Sequence, residues 1–318
     1  MHPAAVSTLT VKLTIVLALP LALHGQFDYD RAQPFDHSME RLASKPHAEL
    51  FGGSFPGPRG GRINYVLVVP NKGKPPYAGV IFQHGGGQSM SNYISEAIVL
   101  ARAGAVSIIP DAPARGEGKN SDIRAMKLEA SRDYWAEIVI SQRRVLDFLL
   151  TRRDVDPRRI GYAGHSYGGI AGAVLAGIEK RIATFILIGL VASSARHMEE
   201  NGLDFWRQYR SSLSPEDLRR TLELVSQVDP ERFLPQATAP ILFQCARFDS
   251  EDLIRECGIA HKLAGSSTKP LRWYDVDHNF VDLEATRDRL YWLEKQLRLA
   301  PVRPVLERLL REGKGPQP

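Results

Sequence analysis

From residue 63 onward, short apolar, β-rich runs alternate with helix-patterned segments, and that alternation leaves few architectures open. The runs fall at 63–69, 79–83, 105–109, 159–163, 184–188, 241–245 and 271–276. Several are continuously apolar rather than alternating, as in strands buried on both faces of a parallel sheet. Between them, Trp135, Ile138, Val139, Val145, Leu146 and Leu149 recur within 132–152 at roughly the 3.6-residue period of an amphipathic helix. Repeated strand–helix units predict an α/β domain with a doubly wound, mostly parallel sheet, right-handed crossovers and a ligand crevice at the strands' C-terminal ends. The composition, 43% hydrophobic and 24% charged over 318 residues, supplies the core of one such unit, assigned to 61–300.

Two stretches break the rhythm. Residues 193–236 hold amphipathic helical patterns at 203–209 and 215–228 and no strand, so a helical cap insertion over the sheet's C-terminal edge is expected there. An outer helix pair away from any ligand is the alternative. Residues 26–60, rich in Gly, Pro and charge, read as an N-terminal extension, and 301–318 as a C-terminal tail, frayed after Lys314. Within residues 1–25, Lys12 precedes an apolar run at 13–23 interrupted only by Thr14 and Pro20. That run is short for a bilayer span and suits the apolar region of a signal peptide, which predicts export to the periplasm or the exterior and a mature chain without a stable membrane span. The competing reading is a disordered or membrane-lying N-terminal helix.

The formal charge of +5 comes from 41 basic and 36 acidic residues. The arginine pairs 152–153, 158–159 and 219–220 sit beside acids and read as solvated surface, so no nucleic-acid partner is expected. Of the two cysteines, Cys245 falls in an apolar run, where a free thiol behaves as a small buried hydrophobe; an unbridged pair is the expectation. No metal and no cofactor are called for.

The chemistry centres on Gly164-His165-Ser166-Tyr167-Gly168-Gly169. This G-x-S-x-G follows the run 159–163 and opens a small-residue helix. A serine on so sharp a strand-to-helix turn needs glycine on both sides, because any Cβ there would meet neighbouring backbone. The run 79–83 ends in His84-Gly85-Gly86-Gly87, whose backbone N–H groups could approach an oxyanion together with that of Tyr167, the residue after the serine. A nucleotide-binding loop would want a Lys-Ser/Thr or G-x-G-x-x-G spacing, and neither is present.

A serine hydroxyl needs a base within hydrogen-bond reach and a carboxylate to orient that base. Of nine histidines, His278 follows a late strand in Asp275-Val276-Asp277-His278-Asn279-Phe280 and is the expected base. His165 sits inside the turn and is expected to point away from the site. The acid should lie in the loop after 241–245, where Asp249 is favoured and Asp252 is the rival. Ser166, Asp249 and His278 would then each stand just past a strand's C-terminal end, as candidate nucleophile, acid and base. Phe205 and Trp206 in the expected cap, with Phe248 beside the acid, are candidates for an apolar acyl pocket. Arg115 and Arg247 could meet an acidic substrate, although solvated arginines are the commoner case.

On these residues, 60–298 resembles the α/β-hydrolase superfamily and specifically its dienelactone hydrolase and acetyl xylan esterase-like branch, with the prolyl oligopeptidase catalytic domain as a near relative. The likeness rests on the glycine loop 84–87, on Asp156-Pro157-Arg158-Arg159-Ile160 leading into Gly164–Gly169, on Phe248-Asp249 and on His278-Asn279-Phe280. It implies the α/β-hydrolase fold and a cofactor-free serine esterase acting on a small-molecule ester through an acyl-enzyme. It also implies Tyr167 with Gly86 or Gly87 as oxyanion donors. A serine peptidase acting on short peptides is the second reading, and a non-catalytic hydrolase-fold binding protein the third. The chain departs from the dienelactone hydrolases in having Ser166 where they carry cysteine. It also has Ala246 and Asp252 where many relatives place Gly and Pro. The segment from Asp111 to Gly118 resembles the Asp-x-x-Gly-x-Gly loop of these esterases and implies pocket shaping rather than reaction.

Overall fold

The computed structural model describes residues 25–112 and 130–311. The signal-like segment, all but the start of the 111–118 loop, with it Arg115, and the end of the C-terminal tail lie outside them. Nine strands form one sheet: β1 (Ser38–Lys45), β2 (Ala48–Pro56), β3 (Arg62–Pro70), β4 (Tyr77–Gln83), β5 (Ala105–Pro110), β6 (Val155–His165), β7 (Thr184–Ile188), β8 (Ile241–Ala246) and β9 (Leu271–Tyr274), in the order β1-β2-β3-β5-β4-β6-β7-β8-β9. The links β1–β2, β2–β3 and β3–β5 are antiparallel. Every link from β5 to β9 is parallel.

The parallel strands are those that read as apolar runs, and their two faces feed two cores. In β7, Phe185 and Leu187 pack on one side of the sheet, Ile186 and Ile188 on the other. In β4, Ile81 faces the first core, Val80 and Phe82 the second. This is the period-2 alternation of strand side chains with apolar groups at every position. The first core is closed by α2 (Arg132–Leu150) and α3 (Tyr167–Ile178), the second by α1 (Ile94–Arg102) and α9 (Leu283–Leu297). Between β7 and β8 lie four helices, α4 (Ser194–Glu200), α5 (Asp204–Ser211), α6 (Pro215–Ser226) and α7 (Pro230–Phe233), in the strandless stretch. Helix α8 (Glu251–Leu263) follows β8, and α10 (Arg303–Arg311) follows α9. No helix among the described residues is long and apolar enough to cross a membrane.

Two expectations change. The boundary expected at residue 60 cuts through the sheet, because β1 and β2 extend it through nine residue pairs between β2 and β3. Strand β1 escaped sequence reading because Ser38–Lys45 is exposed along almost its whole length and carries no apolar alternation. The cysteines are not free: Cys245, at the end of β8, is disulfide-bonded to Cys257 in α8, with Cα atoms 6.1 Å apart. The apolar context of Cys245 reports its burial. The partner is supplied by the return of α8 over the strand, which composition does not reveal.

Candidate active site

Ser166 stands between β6 and α3 with φ 50° and ψ −108°, in backbone territory that non-glycine residues rarely occupy. Its surroundings enforce that conformation. The Ser166 N–H donates to the Ile188 carbonyl of β7 (2.8 Å), and the Ile170 N–H donates back to the Ser166 carbonyl (2.9 Å). A Cβ at Gly164 would come within 2.2 Å of the Gly168 carbonyl oxygen, and one at Gly168 within 2.4 Å of the Gln83 carbonyl oxygen. Both contacts are with backbone, so the turn closes only with glycine at these positions, and Oγ is lifted clear of the sheet.

The structure brings the three chemistry-bearing candidates together. His278 Nε2 lies 2.8 Å from Ser166 Oγ, and His278 Nδ1 lies 2.7 Å from Asp249 Oδ2. A carboxylate only accepts, so Nδ1 carries the proton and Nε2 presents a lone pair to the serine hydroxyl. Asp249 is buried beneath the imidazole. The rival Asp252 is engaged elsewhere: its Oδ2 accepts from His197 Nδ1 and from Asn201 Nδ2, each at 2.8 Å. Those bonds, the His197 one foremost, hold its carboxyl well below the usual carboxylate range. At the end of β7, Gly189 has φ 53°, and a Cβ there would sit 3.0 Å from the Phe280 ring and 3.5 Å from the His278 ring, so glycine clears the space that the histidine loop fills.

His165 does more than sequence reading allowed. Its Nε2–H donates to the His278 carbonyl (2.7 Å), and its Nδ1 lies 3.0 Å from Gln88 Oε1, which accepts from the Gly85 N–H at 2.8 Å. A Cβ at Gly85 would come within 2.6 Å of His165 Nδ1. The ring therefore wedges between the glycine loop and the His278 loop. Burial, then the neighbouring His278, pushes its pKa down to about 3, so it is neutral at ordinary pH. Its position inside the turn motif was the available signal.

A cavity of about 220 Å³ opens at Ser166 and His278. Gly86 and Tyr167 line it, whereas Gly87, at φ 75°, is not among its lining residues. The N-terminal turn of α3 begins at Tyr167, where the helix dipole favours developing negative charge. Phe205 and Trp206 line the cavity from α5. Trp206 is also packed within the helical insert, against Phe205, Tyr209 and His197. Phe248 does not belong to the pocket: it is 68% exposed, is not among the residues lining the cavity, and its backbone N–H donates to the Val276 carbonyl. Arg247 pairs with Asp275 on the exposed surface, 2.7 Å away. Among the described residues no group of three or more His, Cys, Asp or Glu side chains could hold a metal.

A family model described as alpha/beta hydrolase fold matches residues 79–256. No curated protein matches the sequence. Among solved structures, the chain is similar to the acetyl xylan esterase from Paenibacillus sp. at 19% identity and a TM-score of 0.71, covering 91% of this chain and 96% of that one. It is similar to acetyl xylan esterase 1 from Thermoanaerobacterium sp. at 17% identity and 0.72, covering 86% and 92%. A cold-adapted esterase from an Arctic intertidal metagenomic library matches at 21% identity and 0.60, covering 83% and 100%. At these identities the likeness is one of fold.

Proposed function

The chain belongs to the alpha/beta hydrolase fold family, and from that premise we propose that it is a serine esterase cleaving carboxylic esters through an acyl-enzyme. The observation that carries this reading is the continuous hydrogen-bond chain from Asp249 through His278 to Ser166, opening on a largely apolar cavity. Ser166 Oγ attacks the ester carbonyl while His278 Nε2 takes its proton. The same nitrogen returns that proton to the departing alcohol, and water then repeats the sequence to release the acid. Asp249 holds the imidazole with its proton on Nδ1 and stabilises the imidazolium that forms. The tetrahedral oxyanion is met by the backbone N–H of Tyr167 and that of Gly86, which is preferred over Gly87 because it lines the cavity.

The family also contains peptidases, and the esterase neighbours incline the reading toward esters. The deciding experiment is a panel of p-nitrophenyl esters of rising acyl length beside short peptide amides. Ester turnover at least a hundredfold above amide turnover is expected, and the reverse order would replace this reading with a peptidase. Residues 1–25 are assigned as a signal peptide, which the Cys245–Cys257 disulfide supports, because such bonds persist in oxidising compartments. N-terminal sequencing of the protein from its native host should find a start near Gln26, and an intact Met1 would contradict export.

A further inference from the structure

Away from Ser166 and His278, the cavity wall is mostly apolar, with Trp135, Ile170, Val191, Met198 and Leu253. Helix α4 interrupts it with two polar side chains, Ser194 and His197. They stand three residues apart on one helix, hence on one face, with Cβ atoms about 5–6 Å apart. Ser194 is only 4% exposed and lines the cavity, and among the described residues the tie it makes is through its N–H, to Asp229, not through Oγ. His197 donates from Nδ1 to Asp252, so its Nε2 carries a lone pair, and that lone pair has no partner among the described residues. Ser194 and His197 are not hydrogen-bonded to each other, unlike Ser166 and His278.

Both side chains are held in place by groups that take no part in the proposed ester chemistry. Asp252 is fixed from its other side by Asn201 Nδ2 at 2.8 Å. The start of α4 is pinned by two buried carboxylates. Asp229 accepts from the Ser194 N–H (2.7 Å) and the Ser193 hydroxyl (2.5 Å), and Glu256 accepts from the Ala192 and Ser193 N–H groups (3.0 Å each). Glu256 is in turn paired with Arg196. Such a scaffold beneath two hydrogen-bonding side chains is what a preformed recognition site requires: apolar walls for bulk and a few fixed polar atoms for orientation.

We propose that Ser194 and His197 form a hydroxyl-recognition subsite, so that this enzyme prefers esters bearing a free hydroxyl on the part lodged in the cavity. One hydroxyl oxygen bridges the pair, donating to His197 Nε2 and accepting from Ser194 Oγ–H. The inference rests on the esterase reading above and names its substrate class. The hydroxyl could sit on the acyl group or on the alcohol, and two substrate pairs separate these sources. One pair is p-nitrophenyl 3-hydroxybutanoate against p-nitrophenyl butanoate; the other is 2-hydroxyethyl butanoate against propyl butanoate.

The measurement is kcat/KM on both pairs for the wild type, Ser194→Ala and His197→Phe. The hydroxylated member of one pair should be preferred by about tenfold or more, the worth of one well-placed hydrogen bond. Each substitution should cut that preference severalfold. A wild-type ratio near one in both pairs, or a preference that both variants keep, overturns the subsite while leaving the esterase reading intact. If the wild type turns over no member of either pair, the esterase reading falls and the subsite with it. Should His197→Phe fail to fold because Asp252 loses its partner, Ser194→Ala, which removes a single oxygen, decides the question alone.

Discussion

His165 offers a quantitative test of how the two loops around Ser166 are held. Its imidazole is buried and neutral, with a pKa near 3 against the ordinary 6.5. In the unfolded chain it would take up a proton below about pH 6.5; in the folded protein it does not until near pH 3. Between those values the unfolded state binds more protons, so the stability that His165 contributes is present above pH 6.5 and lost as the pH falls. The loss amounts to one proton, about 1.4 kcal/mol per pH unit, and about 2 kcal/mol between pH 7.5 and pH 5. Asp229 opposes this trend, since burial pushes its carboxyl up to about 6 and it gains stability on acidification. The substitution His165→Gln removes the titrating ring and leaves Asp229 in place. Urea denaturation of both proteins at several pH values isolates the term, because shared carboxylates cancel in the difference. The stability advantage of wild type over His165→Gln should shrink by about 2 kcal/mol from pH 7.5 to pH 5. A difference independent of pH would refute the neutral ring, and one that grows on acidification would mean that His165 is held protonated, donating to both the His278 carbonyl and Gln88 Oε1.

Further outcomes follow from the same geometry. Asp249→Asn should reduce kcat on a simple ester by about a thousandfold or more, because the amide no longer selects the His278 tautomer, whereas Asp252→Asn should cost far less; steady-state kinetics on both variants decides. Trp206→Ala should do two things at once, since Trp206 is both buried among Phe205 and Tyr209 and part of the cavity wall. Denaturation should show a loss of about 3–5 kcal/mol, and kcat/KM should fall more for butyrate than for acetate esters. Replacing Cys257 with Ser should lower stability by about 2–3 kcal/mol in oxidising buffer and leave no difference from wild type once both are reduced.

The features legible in the sequence share one physical cause. Strands β4, β7 and β8 are buried on both faces, so their apolar character is written at every position. Ser166, Asp249 and His278 each follow the C-terminal end of a strand, so locating the strands located them. Strand β1, an exposed edge, had no such signature. Ser194 and His197 look like ordinary residues of a surface helix until the fold turns that face toward the cavity. Phe248 misled because adjacency to Asp249 in sequence says nothing about whether a side chain lines the cavity. The His197–Asp252 pair and the His165 wedge join segments distant along the chain, and the disulfide, though its cysteines are 12 residues apart, depends on how α8 folds back over β8; only the packed structure specifies such pairings.

Activation of Ser166 as a nucleophile by His278 is open to chemical test. Its most direct test is covalent labelling of the purified protein with a fluorophosphonate probe at neutral pH, followed by mass spectrometry of the peptide spanning the turn. Wild type should carry one adduct on Ser166, and Ser166→Ala, with its fold intact by circular dichroism, should carry none. An adduct on the alanine variant, or a folded wild type that the probe does not label, would contradict the account.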